Sequence, residues 1–149
     1  MKIVDNLRDG CKILKSYNIS SYEIDSEILM SQTLKIPRER LLLNLEKEIN
    51  KEEKEKFLDL INRRKQNEPV AYLICNKSFW RDKFMINKNV LIPRPDTEIL
   101  VEETIANIPI NSSFRILDVG TGSGCVLLSV LKERKKCLGI GTDISNHAI

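Results

Sequence analysis

The sequence has little of what several common classes of site require. It contains one histidine, His147, and its four cysteines form no C-x-x-C pair, so we expect no zinc site. Its apolar runs are far shorter than the ~18 residues of a membrane span, and the N-terminus lacks the apolar stretch of a signal peptide. We therefore expect a cytoplasmic protein with reduced, buried cysteines, and we assign His147 no role.

Charge of one sign is not concentrated either. The chain has 149 residues with 24 basic and 21 acidic side chains, which give a net charge of +3. A nucleic-acid-binding protein would show a basic stripe, so we expect no direct contact with DNA. The content of 42% hydrophobic and 30% charged residues is typical of a globular protein of one ordinary domain or two small ones.

Residues 1–68 are predicted to form a helical bundle domain. Capping-box spacing indicates helix starts at Ser20 and Asn50, and Pro37 separates off a short helix over residues 38–43. The spacing of apolar residues predicts inward faces of Val4, Leu7, Cys11 and Leu14 in the first helix, Ile24, Ile28 and Leu29 in the second, and Phe57, Leu58 and Ile61 in the last.

Residues 69–92 are predicted to form a β-hairpin connector. Val70–Cys75 is made of strand-forming residues, and short strands are expected within residues 78–80 and 83–86. We interpret Trp80 as a packing residue of this connector.

Residues 93–149 are predicted to begin an α/β domain. Prolines 93 and 95 favour an extended segment, and Asp96 and Thr97 can cap a helix over Glu98–Ile108. A buried strand over Arg115–Val119, a helix from Gly124 to Glu133 and a second strand over Leu138–Thr142 are then expected. This order opens a doubly wound sheet. Because two strands cannot form such a sheet with both faces covered, we expect the chain to be part of a longer protein.

A glycine-rich loop between the predicted strand and helix is the candidate ligand site. It consists of Asp118, Val119, Gly120, Thr121, Gly122, Ser123 and Gly124. Its glycines permit positive φ angles and close backbone approach, and the N–H groups at the helix start can face a polar ligand. A phosphate-binding P-loop would end in Gly-Lys-Ser/Thr, and a dinucleotide fingerprint would have a glycine at Cys125. The observed G-x-G-x-G spacing after an acid resembles motif I of class I S-adenosylmethionine-dependent methyltransferases, although a tight turn without a ligand remains open.

Asp143 supports the same site. It ends the second strand, where a carboxylate can accept hydrogen bonds from both hydroxyls of a ribose. The alternative is that Asp143 caps a following helix. For Asp118, the alternatives are a loop-ordering role and a contact with the ammonium group of the cofactor's methionine portion.

The stretch Val90-Leu91-Ile92-Pro93-Arg94-Pro95-Asp96-Thr97-Glu98-Ile99-Leu100-Val101-Glu102 resembles a hallmark of the HemK-like glutamine N5-methyltransferases. Ile116–Gly124 matches the same family at a suitable distance, as do Glu68–Leu73 and Phe79-Trp80. Cys75 departs from the pattern, since family members often have glycine there. The family's Asn-Pro-Pro-Tyr motif, which holds the substrate amide, would lie beyond Ile149.

The resemblance implies transfer of a methyl group from S-adenosylmethionine to the glutamine amide nitrogen of a Gly-Gly-Gln motif in a peptide-chain release factor. It implies an α+β fold in which residues 1–68 dock the substrate and residues 93–149 begin a Rossmann-like methyltransferase domain. The implied cofactor-binding residues are Asp118, Gly120, Thr121, Gly122, Ser123, Gly124 and Asp143. Pro93 and Arg94 are expected near cofactor or substrate, with a stiff, exposed linker as the alternative.

We expect residues 1–149 alone to lack activity and to contain no catalytic residue. Three other functions remain open. They are an amino-methyltransferase acting on nucleic acid, a nicotinamide-dependent oxidoreductase and an inactive interaction fragment.

Overall fold

A computed structural model of the chain describes residues 1–148, which fall into two compact units that divide after Ile74. The first unit contains α1 (Ile3–Ser16), α2 (Tyr22–Leu34), α3 (Arg38–Leu42), α4 (Lys51–Arg64) and α5 (Val70–Leu73). The second contains β1 (Asn76–Phe79), β2 (Asp82–Met85), a 3-10 helix (Pro95–Thr97), α6 (Glu98–Asn107), β3 (Arg115–Val119), α7 (Cys125–Glu133) and β4 (Leu138–Thr142). Helices precede a mixed α/β region, so the predicted α+β class is confirmed. Within residues 1–148, every helix is too short or too polar to cross a membrane.

The helical unit is built around an apolar core shared by α1, α2 and α4. Leu14, Leu29, Met30, Phe57 and Ile61 have no exposed surface in this core. Gly10 allows α1 to approach α4 closely, because a Cβ atom there would lie 2.8 Å from the Phe57 ring. The burial of a large side chain such as Phe57 contributes about 1.5–3 kcal/mol relative to exposure.

One ion pair is embedded in this unit. The Arg64 Nε atom donates to Asp25 Oδ2 at 2.7 Å, and the two side chains are only 15% and 7% exposed. The Ser21 hydroxyl donates to the same carboxylate oxygen at 2.7 Å. Arg64 therefore compensates a carboxylate that packing has removed from water.

The two predicted capping boxes have different outcomes. At Asn50 the prediction is confirmed: its side chain accepts the Glu53 N–H, and the Glu53 carboxylate accepts the Asn50 N–H, both at 2.8 Å. The predicted box at Ser20 is wrong, because α2 begins after Ser21, whose hydroxyl bonds to a side chain. Ile24, predicted to face inward, is 46% exposed, whereas Leu29 is buried as predicted.

The predicted strand over Val70–Cys75 is also wrong. Val70–Leu73 forms the short helix α5, with the Tyr72 and Leu73 N–H groups donating to the Pro69 carbonyl. A helical turn places residues 70, 73 and 74 against the apolar core of the first unit. This burial outweighs the intrinsic preference of valine and isoleucine for strands.

The second unit opens with the β1–β2 hairpin. The strands pair antiparallel from Asn76 opposite Met85 to Phe79 opposite Asp82, which leaves residues 80 and 81 as a two-residue turn. The hairpin predicted for this connector is therefore present. Cys75 precedes it with φ +55°, a left-handed conformation that favours glycine. A glycine at position 75 would adopt this conformation without the steric cost that a side chain adds.

The segment leading into α6 differs from its prediction in detail. Arg94 is extended as expected, with φ −98° and ψ 146°, but residues 95–97 form a 3-10 helix. Thr97 is the residue before α6, and its side chain makes no capping hydrogen bond. Val101 is the fully buried residue of α6, whereas Ile99 and Leu100 are 60% and 55% exposed.

The last elements have the predicted order of strand, glycine loop, helix and parallel strand. β3 and β4 pair in parallel, with Leu117 opposite Ile140. The expectation that β3 is buried is wrong for the described residues: Leu117 and Val119 are 64% and 79% exposed. One face of this two-stranded sheet packs against α7, since a Cβ atom on Gly139 would meet the side chains of Leu131 and Leu127 at 2.7 and 2.8 Å.

Candidate functional site

The glycine loop joins the carboxyl end of β3 to the start of α7 through three residues with left-handed backbones. Gly120, Gly122 and Gly124 have φ angles of +79°, +54° and +72°. A residue with a side chain pays about 1–2 kcal/mol for this conformation. Within residues 1–148, no atom beyond the glycine itself and its two chain neighbours lies within 4 Å of the positions that Cβ atoms would occupy on Gly120 and Gly122. The loop therefore presents open backbone surface that a ligand can approach closely.

The loop is anchored to the end of β4 by backbone hydrogen bonds. The N–H groups of Gly120 and Thr121 both donate to the Thr142 carbonyl, at 2.8 and 2.9 Å. A Cβ atom on Gly141 would lie 2.8–3.0 Å from three atoms of the Thr121 side chain. A glycine inside a strand often marks such a close approach, and this signal in β4 was missed in the sequence.

Asp118 has a local partner. Its Oδ2 atom accepts the Thr121 hydroxyl at 2.8 Å, and the carboxylate is half-buried. This contact bridges the two sides of the loop, as the loop-ordering alternative requires. The other carboxylate oxygen retains its capacity to accept hydrogen bonds.

Asp143 lies against the same loop although it follows 21 residues after Gly122. Its Oδ2 atom accepts the Gly122 N–H at 2.8 Å, and its Oδ1 atom accepts the Ser145 N–H at 2.9 Å. The Ser145 and Gly122 N–H bonds hold the pKa of Asp143 below its ordinary value. The bond from the Ser145 N–H, two residues further on, is also the contact that a helix-capping aspartate makes, so both alternatives for Asp143 stay open. The structure thus brings a charged carboxylate to the edge of the glycine loop.

The remaining loop residues lie at the N-terminus of α7. Ser123 is half-buried, and Gly124 is the residue before the helix. Burial raises the pKa of the Cys125 thiol, although the Ser123 side chain opposes the shift by hydrogen bonding. Cys125 is therefore a buried, poorly ionised thiol at the first position of α7.

Pro93 and Arg94 precede the 3-10 helix in the same unit. Pro93 is buried and Arg94 is exposed, and the Arg94 carbonyl accepts the Thr97 N–H at 3.0 Å. His147, to which no role was assigned, is exposed. Of the four cysteines predicted to be buried, Cys125 and Cys137 are, Cys11 is partly exposed and Cys75 is exposed. Within residues 1–148 no cluster of side chains could hold a metal ion.

Comparison with known proteins gives this geometry a family context. The family model described as the PrmC N-terminal domain matches residues 5–74. The chain is 42% identical over 149 residues to a release factor glutamine methyltransferase of Clostridium acetobutylicum, with 100% of this chain and 52% of the relative covered.

Two further relatives carry the same name. The protein of Leptospira interrogans is 37% identical over 148 residues, with 99% of this chain and 52% of the relative covered. The protein of Caulobacter vibrioides is 36% identical over 136 residues, with 91% and 47% covered. The resemblance to release factor glutamine methyltransferases is therefore confirmed. The chain spans about half the length of the curated relatives that it matches.

Proposed function

We propose that the complete protein carrying this chain transfers a methyl group from S-adenosylmethionine to the side-chain amide nitrogen of a release factor glutamine, in its Gly-Gly-Gln motif. The observation that carries the proposal is the similarity to release factor glutamine methyltransferases, which extends over 91–100% of the chain. It includes the segment with the three left-handed glycines and Asp143.

The residues around the glycine loop fit the proposed methyl donor. S-adenosylmethionine carries a ribose with two hydroxyl donors and a methionine portion with an ammonium group. Asp143 is charged and has acceptor capacity beyond its two backbone bonds, so we assign it the ribose hydroxyls. The bare backbone at Gly120 and Gly122 leaves room for the donor to lie against the loop.

Asp118 and the rest of the loop complete the proposed cofactor site. Asp118 orders the loop through Thr121 and offers negative charge to an ammonium group. Gly124 and Ser123 shape the entry into α7. When bound, S-adenosylmethionine supplies an electrophilic methyl group. The work left to the protein is orientation, because an amide nitrogen is a poor nucleophile that must be held in line with its target.

Arg94 and Pro93 are the second part of the proposed site. The extended backbone of Arg94 and its exposed guanidinium make this residue available to cofactor or substrate. We assign no catalytic residue to the chain itself, since its 149 residues contain no Asn-Pro-Pro-Tyr motif to hold the amide.

We propose that the helical domain, residues 1–68, docks the release factor. Two observations support this. The first unit has its own apolar core, and Leu43 at the end of α3 lies outside that core with 85% of its surface exposed, where a protein partner can contact it. The complete protein and a form lacking residues 1–70 would be titrated with release factor, and we expect the shortened form to lose affinity. Binding of S-adenosylmethionine serves as the control that the rest of the protein is intact. Full affinity for release factor in the shortened form would disprove the docking role.

The proposed site is tested by donor binding and by methyl transfer in the complete protein. Isothermal titration should show weaker binding of S-adenosylmethionine to Asp143→Ala, and unchanged binding to Glu102→Ala, which removes an exposed carboxylate from α6. Arg94→Ala is expected to reduce methyl transfer to release factor. Transfer of labelled methyl to DNA but not to release factor would replace the proposal by the nucleic-acid alternative.

A further inference from the structure

The turn of the β1–β2 hairpin has an unusual backbone. Trp80, the first of its two residues, has φ +56°, and it is the only tryptophan of the chain. Two-residue hairpins favour glycine, asparagine or aspartate at positions with positive φ. For a bulky residue this conformation is an outlier that persists only where surrounding contacts enforce it. The contacts around Trp80 must therefore hold its backbone in this conformation.

Two carboxylates hold this turn from outside the hairpin. Glu98 Oε1 accepts the Trp80 backbone N–H at 2.8 Å. Glu133 Oε1 accepts the indole N–H at 3.3 Å and the Arg81 guanidinium at 2.9 Å. The Arg81 guanidinium also lies over the indole ring, 5.6 Å from its centre. The Trp80 backbone and indole ring and the Arg81 side chain thus all make contacts that hold the turn.

These carboxylates belong to the two helices that follow the proposed site segments. Glu98 is the first residue of α6 and directly follows residues 93–97. Glu133 is the last residue of α7, whose first turn follows the glycine loop. A second link from the same hairpin joins Asp82 to Lys132 of α7, at 2.5 Å. The hairpin turn therefore touches both helices at once.

We propose that Trp80 is a positioning residue, whose strained turn fixes α6 and the Pro93–Thr97 segment relative to α7 and the glycine loop. The positioning itself follows from the contacts of the turn, while its effect on methyl transfer rests on the proposed function. The side chain of Glu98 is the key contact, because it holds the Trp80 N–H in the direction that the left-handed backbone requires.

The contact is tested by fluorine NMR of the complete protein labelled with 5-fluorotryptophan, with the Trp80 resonance assigned by Trp80→Phe. Glu98→Ala should move the Trp80 resonance toward its position in the unfolded protein. Glu98→Gln, which keeps an oxygen acceptor, should preserve it, and so should Glu102→Ala, one turn further along α6. An unchanged resonance in Glu98→Ala would overturn the proposal, whatever the effect on activity.

Kinetics of methyl transfer by the same variants test the consequence. We expect Glu98→Ala to reduce kcat/KM by about 10-fold or more, since a misplacement of about 1 Å can cost about 100-fold, while Glu98→Gln restores it. A purely structural role would lower the unfolding temperature and leave kcat/KM of the folded enzyme unchanged. Wild-type kinetics in Glu98→Ala would overturn the positioning role. A wild-type protein without any methyl transfer would instead refute the proposed function, and the NMR result alone would then decide whether Trp80 holds the helices.

Discussion

Replacing Gly141 by alanine should disturb the glycine loop from the strand beside it. The added Cβ atom would lie 2.8 Å from Thr121 Oγ1, 2.9 Å from Cγ2 and 3.0 Å from Cβ. Rotation of the threonine side chain moves the first two atoms but leaves the third, so the loop backbone must shift. Overpacking of this kind costs about 1–3 kcal/mol, and the loss of glycine flexibility in the unfolded chain offsets about 0.5–1 kcal/mol. The difference lies between about 0 and about 2.5 kcal/mol, and we expect a net loss of about 1 kcal/mol.

A double-mutant cycle isolates this contact. The free energy of unfolding would be measured by urea denaturation for the wild type, Gly141→Ala, Thr121→Ala and the double variant. Thr121→Ala removes two of the three crowded atoms along with the hydrogen bond to Asp118. Gly141→Ala should therefore cost less than half as much in that background. An equal cost in both backgrounds would refute the assignment of the clash to Thr121.

Three further predictions concern other groups. Arg64→Met should destabilise the helical unit by about 3–5 kcal/mol, because it leaves the Asp25 carboxylate buried and uncompensated; a loss below about 1 kcal/mol in denaturant unfolding would contradict this. Backbone N–H bonds lower the pKa of Asp143 from 3.8. Its contact with the loop should therefore remain from pH 7 to pH 5 and be lost only as the pH falls through the lowered pKa of the folded protein. An NMR titration of the loop amides with a midpoint near pH 5 would contradict this. A thiol reagent should modify Cys75, which is exposed, well before Cys125, whose pKa burial raises, and equal rates by mass spectrometry would count against the described burial.

Elements with strong local signals were predictable from the sequence. The boundaries of β3, α7 and β4 follow from apolar runs broken by glycines, and the start of α4 follows from a reciprocal capping box at Asn50. The convergence of Asp143 on the loop was also predictable, because the carboxyl ends of neighbouring parallel strands meet at one edge of a sheet.

Elements decided by tertiary contacts were not predictable. Val70–Leu73 has strand-forming residues, but its burial against a core formed by distant helices selects a helix. The role of Trp80 depends on carboxylates that lie 18 and 53 residues further along the chain. No local pattern around residue 80 indicates those partners. The sequence therefore supports a packing role for Trp80 but does not predict its hydrogen bonds to the two carboxylates.

The most direct test of the proposed function is to incubate the complete protein with S-adenosylmethionine and purified release factor and to locate the modification by tandem mass spectrometry. The proposal predicts the mass of one added methyl group on the glutamine of the Gly-Gly-Gln motif, and none when the donor is omitted. A release factor that stays unmodified, or a methyl group found on another residue, would contradict it.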